Sequence, residues 1–168
     1  MNKMQEIKID KITLNIGCGD DKAKIEKATK LLEMLTGKKS IVTKSKKRST
    51  FGIPKGKPLG VMVTLRKADA FEFLKKALAG IENKLSKDKF DSSGNFSFGV
   101  REYIDMPGVK YSHEVGMMGF ELAVTLYRAG FRIKKRRIQQ RQIPVKHKIS
   151  KEDAAEWAKK TFGVELIE

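Results

Sequence analysis

Apolar and polar residues alternate over residues 11–16. Ile12, Leu14 and Ile16 fall on one face of an extended chain and Lys11, Thr13 and Asn15 on the other, the pattern of a half-buried strand. Gly17 and Gly19 end it. Asp20 or Asp21 is placed to cap a following helix in which Ile25, Ala28, Leu31, Leu32 and Leu35 recur at helical spacing up to a stop near Gly37. Residues 41–43 start a second strand, residues 44–50 form a basic turn, and residues 59–66 alternate again with Val61, Val63 and Leu65 inward. The stretch therefore predicts a hairpin with a charged tip. Asp69 is expected to cap a helix carrying Phe71, Leu74, Leu78 and Ile81, and a turn at 91–94 leads to further strands at 95–100 and 119–128.

Beyond Arg128 the periodicity fades. Residues 130–148 are too polar to fold without burying something against RNA or the rest of the chain, so the expectation is an arm at about 128–148 that is ordered only when bound. Ser150 with Asp153 three residues on reads as a capping box for a last helix at about 150–162, closing near Gly163. There are no internal repeats and no low-complexity linker, and 168 residues suffice for one folded unit of two layers, a single domain over 1–168.

Composition narrows the function. No segment approaches the roughly 18 apolar residues of a membrane helix, and residues 1–10 carry acids and lysines where a signal peptide is apolar. The lone Cys18 fits a reducing compartment, and the chain is read as cytosolic. The net charge is +16, unevenly spread. Between Glu33 and Asp69, and again between Glu121 and Glu152, there is no acid and there are ten Lys or Arg in each window. Such segregation repels itself unless a polyanion neutralises it. Nucleic acid fits better than an anionic membrane, because the basic windows hold Gly, Pro and strand-like alternation and lack the apolar face of an interfacial helix.

The candidate chemistry points the same way. Asn15-Ile16-Gly17-Cys18-Gly19 lies between a strand and a helix, like the Gly-Cys-Gly turn of S-adenosylmethionine-dependent methyltransferases. Asp21 replaces a third glycine, however, and no acid follows the next strand to hold a ribose, so a tight turn is the simpler reading. No nucleophile stands beside a base: His113, His147 and Cys18 have no local partners and no metal-ligand spacing, and Glu102 and Asp105 read as solvated turn charges. No catalytic residue, metal or cofactor is expected. Lys44, Lys46, Lys47 and Arg48 at a hairpin tip suit phosphates, and Phe51 just beyond them either stacks on a base or joins the core. Arg132, Lys134, Lys135, Arg136 and Arg137, followed by Gln139, Gln140, Arg141 and Gln142, combine charge with planar hydrogen-bonding groups suited to RNA.

Five ordered motifs carry a resemblance: Ile12-Thr13-Leu14-Asn15-Ile16-Gly17, Leu35-Thr36-Gly37-Lys38, Phe51-Gly52-Ile53, Val63-Thr64-Leu65-Arg66, and residues 90–99 around Gly94-Asn95-Phe96. From about Ile7 to Tyr127 the chain resembles the large-subunit ribosomal protein five family, and past Tyr127 its archaeal branch. The resemblance implies an α+β fold, an antiparallel sheet with helices packed on it, with the basic hairpin loop and basic C-terminal arm attached. It implies no enzyme but a structural constituent of the cytoplasmic ribosome, which attaches 5S rRNA to the large subunit in the central protuberance. P-site tRNA, large-subunit rRNA, neighbouring large-subunit proteins and the small-subunit head are the other implied partners. The family's 5S rRNA contacts fall on Asn15, Phe51 and Thr64, with Arg66 in the same motif and Lys38 where many relatives carry glutamine. Its tRNA-side loop falls on residues 43–50, and the arm from Arg132 to Arg141 faces rRNA. The rival readings are an RNA methyltransferase using the Gly17 turn and a free RNA chaperone.

Overall fold

The computed structural model describes residues 2–48, 50 and 52–167, which leaves Phe51 outside the described residues. Its longest strand, β1 (Ile7–Gly17), is followed by α1 (Lys22–Thr36), β2 (Ile41–Lys44), β3 (Pro58–Leu65) and α2 (Lys67–Ala79). Then come β4 (Lys84–Ser86), β5 (Phe96–Val100), β6 (Phe120–Arg128), the short α3 (Arg132–Lys135), α4 (Lys151–Phe162) and β7 (Glu165–Ile167). Five strands form one antiparallel sheet of order β2-β3-β1-β6-β5. The chain thus has an α+β fold, as its resemblance implied.

Alternation decides which face of the sheet is covered. Ile12, Leu14 and Ile16 of β1, Val61, Val63 and Leu65 of β3, and Phe120, Leu122, Val124 and Leu126 of β6 are all buried. Against them lie Ile25, Ala28, Leu31 and Leu32 of α1 and Ala70, Phe73, Leu74, Ala77 and Leu78 of α2. Each group recurs at the three- and four-residue steps that give a helix one apolar stripe. At the start of α1 the Asp21 carboxylate accepts the amides of Ala23 and Lys24 at 3.0 and 3.3 Å, and at its end Gly37 takes a left-handed φ of 64°.

Two sequence expectations are corrected at α2. Its N-cap is Arg66, which makes no side-chain capping bond, so Asp69 is not the cap. Asp69 sits in the first turn, where a carboxylate is favoured by the helix dipole instead. With the helix starting at Lys67, the inward stripe passes through Phe73, and Phe71 turns outward to pack its ring against Phe162 at 5.0 Å. Two elements were not anticipated: β4 and β7, which pair in parallel as a separate two-stranded sheet.

The expected capping box of α4 is present, with Ser150 and Asp153 bonded reciprocally. The arm before it was expected to be ordered only when bound, yet it has contacts of its own to the fold. The His147 Nε2 lies 2.8 Å from the Ala129 carbonyl, and its ring meets Phe131 edge-on. The Arg128 guanidinium donates to the Lys148 carbonyl and to Asp153, both at 3.0 Å, and Ile149 is fully buried beside them. Both ends of the arm are thereby held to the domain.

The sheet is tightest where β3 crosses β1. Gly60 faces Gly17, and a Cβ added to Gly60 would stand 2.4 Å from the Ile16 carbonyl oxygen, whereas one on Gly17 would meet nothing within 4 Å. Gly60→Ala should therefore destabilise the fold by about 1–3 kcal/mol, as overpacking against backbone does, and Gly17→Ala by less than about 0.5 kcal/mol. Urea unfolding of the two variants checks this; equal midpoints would contradict it.

Candidate nucleic-acid interface

The uncovered face of the sheet carries polar residues at its centre and apolar ones toward β2, and it can be read off the strand register. One row runs across it as Ile41, Met62, Asn15, Glu121 and Gly99, and the next as Thr64, Thr13, Ala123 and Ser97. Asn15 and Thr64 are therefore diagonal neighbours on adjacent strands, about 7–8 Å apart in such a sheet. Thr64 is exposed and Asn15 half-buried, and no protein partner claims either side chain among the described residues. Gly17 and Gly99 bring no side chain to this face. Two shallow depressions meet at Asn15 and Glu121; Lys89 and Ser97 line one, Gly17, Gly99 and Arg101 the other.

Sequence reasoning did not single out Glu121, Lys89 or Arg101. The alternation from 119 to 128 already marked Glu121 as outward, but its position beside Asn15 depends on a pairing between strands more than a hundred residues apart. A carboxylate there repels phosphate and accepts from amino or hydroxyl donors, so that spot on the face favours a base edge or a ribose.

Arg66 stands at the end of β3 and is not free. Its guanidinium reaches the carbonyl and the carboxylate of Asp10 at 3.4 Å, and Lys135 of the arm binds the other Asp10 oxygen. Asp10 occupies the bulge where β1 shifts register against β6, which turns its largely covered side chain toward both cations. One carboxylate thus ties the arm to the edge of the open face. Lys38 is not brought to that face: it follows α1 and pairs with Asp69 on α2, in the helical layer. The hydrogen bond and charge of Lys38 hold the Asp69 carboxyl below the usual carboxylate range.

The basic loop and the basic arm lie at opposite ends of β1. Lys44, Lys46, Lys47 and Arg48 are exposed in the loop between β2 and β3, whose base is closed by a Ser45 amide bond to the Lys57 carbonyl at 2.8 Å. That loop projects from the Gly17 end, where Gly17 faces Gly60. The arm instead follows Arg128, which faces Ile7 at the other end. Eleven strand residues lie between, roughly 35 Å at an ordinary strand rise. In the arm, Arg132, Lys134, Arg136, Arg137 and Arg141 are exposed, and none of them has a carboxylate partner among the described residues.

The Gly17 turn does not make a cofactor site. Dinucleotide-type turns join parallel strands, whereas both neighbours of β1 are antiparallel, and the α1 amides that would meet a phosphate already bond Asp21. Cys18 is buried, and desolvation with the nearby Asp21 charge raises its thiol pKa, the opposite of an activated nucleophile. Among the described residues no cluster of His, Cys, Asp or Glu could hold a metal, and no helix is long and apolar enough to cross a membrane.

Residues 2–53 match the family model described as Ribosomal protein L5, and residues 58–157 match the model of the C-terminus of the same ribosomal family. The chain is 41% identical over 168 residues to the large ribosomal subunit protein uL5 of Sulfolobus acidocaldarius, spanning 99% of this chain and 94% of that one. It is 45% identical over 169 residues to its counterpart from Thermoplasma volcanium, spanning 99% of each. For the uL5 protein of Nanoarchaeum equitans the figures are 43% over 166 residues and 98% of each chain. With both halves matched in order and near-complete coverage of archaeal relatives, the chain belongs to the archaeal branch of the uL5 (ribosomal protein L5) family.

Proposed function

We propose that this protein, a non-enzymatic structural constituent of the large subunit of the cytoplasmic ribosome, holds 5S rRNA on the open face of its sheet. In this reading it attaches that RNA to the large subunit in the central protuberance. The observation that carries it is the centre of the sheet face, where Asn15 and Thr64 have no internal partners, flanked at both ends by cations that are unpaired among the described residues. Unpaired hydrogen-bonding side chains on a flat sheet suit exposed base edges and 2′-hydroxyls, and the flanking cations suit the backbone on either side. Arg66, already leaning on Asp10, borders this face, and Lys38 contributes at most from its rim while Asp69 holds it.

The arm from Arg132 to Arg141 is assigned to large-subunit rRNA and the loop at 43–50 to P-site tRNA. Neighbouring large-subunit proteins and the small-subunit head are the further partners this reading assigns to it. The loop's Lys44, Lys46, Lys47 and Arg48 have no fixed carboxylate partners among the described residues, which suits the backbone of a tRNA whose sequence changes each elongation cycle. Two RNA contacts about a strand's length apart are separable by mutation.

Asn15→Ala and Thr64→Ala should each weaken 5S rRNA binding by about 1 kcal/mol, roughly fivefold, with unchanged stability. Filter binding at fixed salt checks this; wild-type affinity in both variants would remove the sheet face from the site. Replacing Lys44, Lys46, Lys47 and Arg48 together by alanine should leave 5S rRNA retention near normal and weaken P-site tRNA occupancy. Each lost phosphate contact should lower the salt slope by about one unit. Loss of 5S rRNA with normal tRNA binding would assign the loop to the 5S surface instead.

A further inference from the structure

Between the arm and the turn at 91–94 lies a cleft of about 770 Å³. Lys134, Arg141 and Lys148 line it, with Gln142, over a floor formed by the half-buried Phe131 and Ile143, with the fully buried Ile149 beneath. Among the described residues no carboxylate lines it, although the chain has 20 acids and uses them on neighbouring cations: Lys135 is neutralised by Asp10 and Arg128 by Asp153. Lys134, Arg141 and Lys148 have no such partner among the described residues.

The walls are fixed by the fold. Gly94 presses the turn onto the buried Ile149 so closely that an added Cβ would stand 2.4 Å from its Cγ2. On the arm side, Gln139 takes a left-handed φ of 50°, which folds residues 140–142 back so that the Arg141 amide donates to the Ile133 carbonyl at 3.2 Å. The Gln140 amide donates to the Lys134 carbonyl. An apolar floor for a flat ring, amides for its polar edge and three cations for a phosphate are the complementary parts of one nucleotide. The volume falls in the range of roughly 300–1,000 Å³ typical of small-ligand sites, too small for a duplex.

We propose that this cleft receives a single everted nucleotide of an RNA strand. The inference rests on the reading of the arm as an rRNA contact and deepens it. A strand is favoured over a free nucleotide because the cations continue outside the cleft, at the exposed Arg132, Arg136, Arg137 and Lys146, where a backbone would enter and leave.

The test is a chemical-shift titration of the ¹⁵N-labelled full chain with single-stranded rA4 and rU4, with AMP and UMP, and with inorganic phosphate. The tetranucleotides should shift the amides of Ser92, Ser93 and residues 140–143 first, and bind about tenfold more tightly than the mononucleotides. The pair Arg141→Ala and Lys148→Ala should lower that affinity about tenfold. Lys75→Ala with Lys76→Ala on α2, an equal change of charge at exposed positions that do not line the cleft, should lower it less than about threefold. If the first pair disturbs Ile149, seen as altered dispersion of the free spectrum, Lys134→Gln alone should still cost several-fold. Equal losses for the two pairs, or shifts spread evenly over the arm and the loop at 43–50, would overturn the proposal; mononucleotides binding as tightly as tetranucleotides would replace the RNA strand by a free nucleotide. All these variants keep Asn15 and Thr64, so 5S rRNA retention measured alongside reports separately on the sheet face.

Discussion

Everything in this molecule depends on the register of β1 between two antiparallel neighbours. Ile12, Leu14 and Ile16 are buried under the helices, and the pairing of Thr13 with Thr64 and Ala123 then places the intervening residues together on the uncovered face. A slip of one residue would bury Thr13 and Asn15 and expose the isoleucines, so the hydrophobic core that stabilises the sheet also specifies the polar surface behind it. The close crossing at Gly60 reinforces this, because β3 can approach β1 there only without a side chain.

Charge is arranged by a second constraint. Carboxylates stand where a cation anchors a segment of chain. Asp10 joins Arg66 to Lys135, Asp20 holds Lys57 at the base of the basic loop, Asp69 holds Lys38, and Asp153 holds Arg128 under the arm. The exposed pairs among these contribute little stability singly, about 0–1 kcal/mol, but together with the more covered Asp10 and Arg128 they fix where the backbone of the loop and arm begins and ends. Beyond these anchors the described cations of the loop and arm have no counter-charge, and their mutual repulsion is relieved only by a polyanion. Local order and unsatisfied charge are thus built from the same segments.

Much of this was legible in the sequence because strict alternation and helical spacing leave few alternatives. β1, α1, the hairpin of β2 and β3, and α4 with its capping box all follow from it. Asp69 misled because an acid is favourable both at a cap and in the first turn, and moving the helix start to Lys67 sent Phe71 outward and Phe73 inward. β4 and β7 were illegible: three residues each carry no periodicity, and their pairing joins segments some eighty residues apart. Of the candidate site, Asn15 and Thr64 were readable as outward positions, whereas the Asp10 bridge and the cleft over Ile149 arise from tertiary neighbours that no local pattern encodes.

The open face has one serious competitor as an RNA surface, the outer side of α1, where Lys22, Lys24, Lys27 and Lys30 are exposed. Ultraviolet crosslinking of the whole chain to 5S rRNA, read residue by residue by mass spectrometry, separates the two. Crosslinks are predicted on the uncovered sheet residues, at Lys11, Thr13, Asn15, Thr64 and Ser97. Crosslinks concentrated on the α1 lysines, with the sheet face bare, would contradict the account.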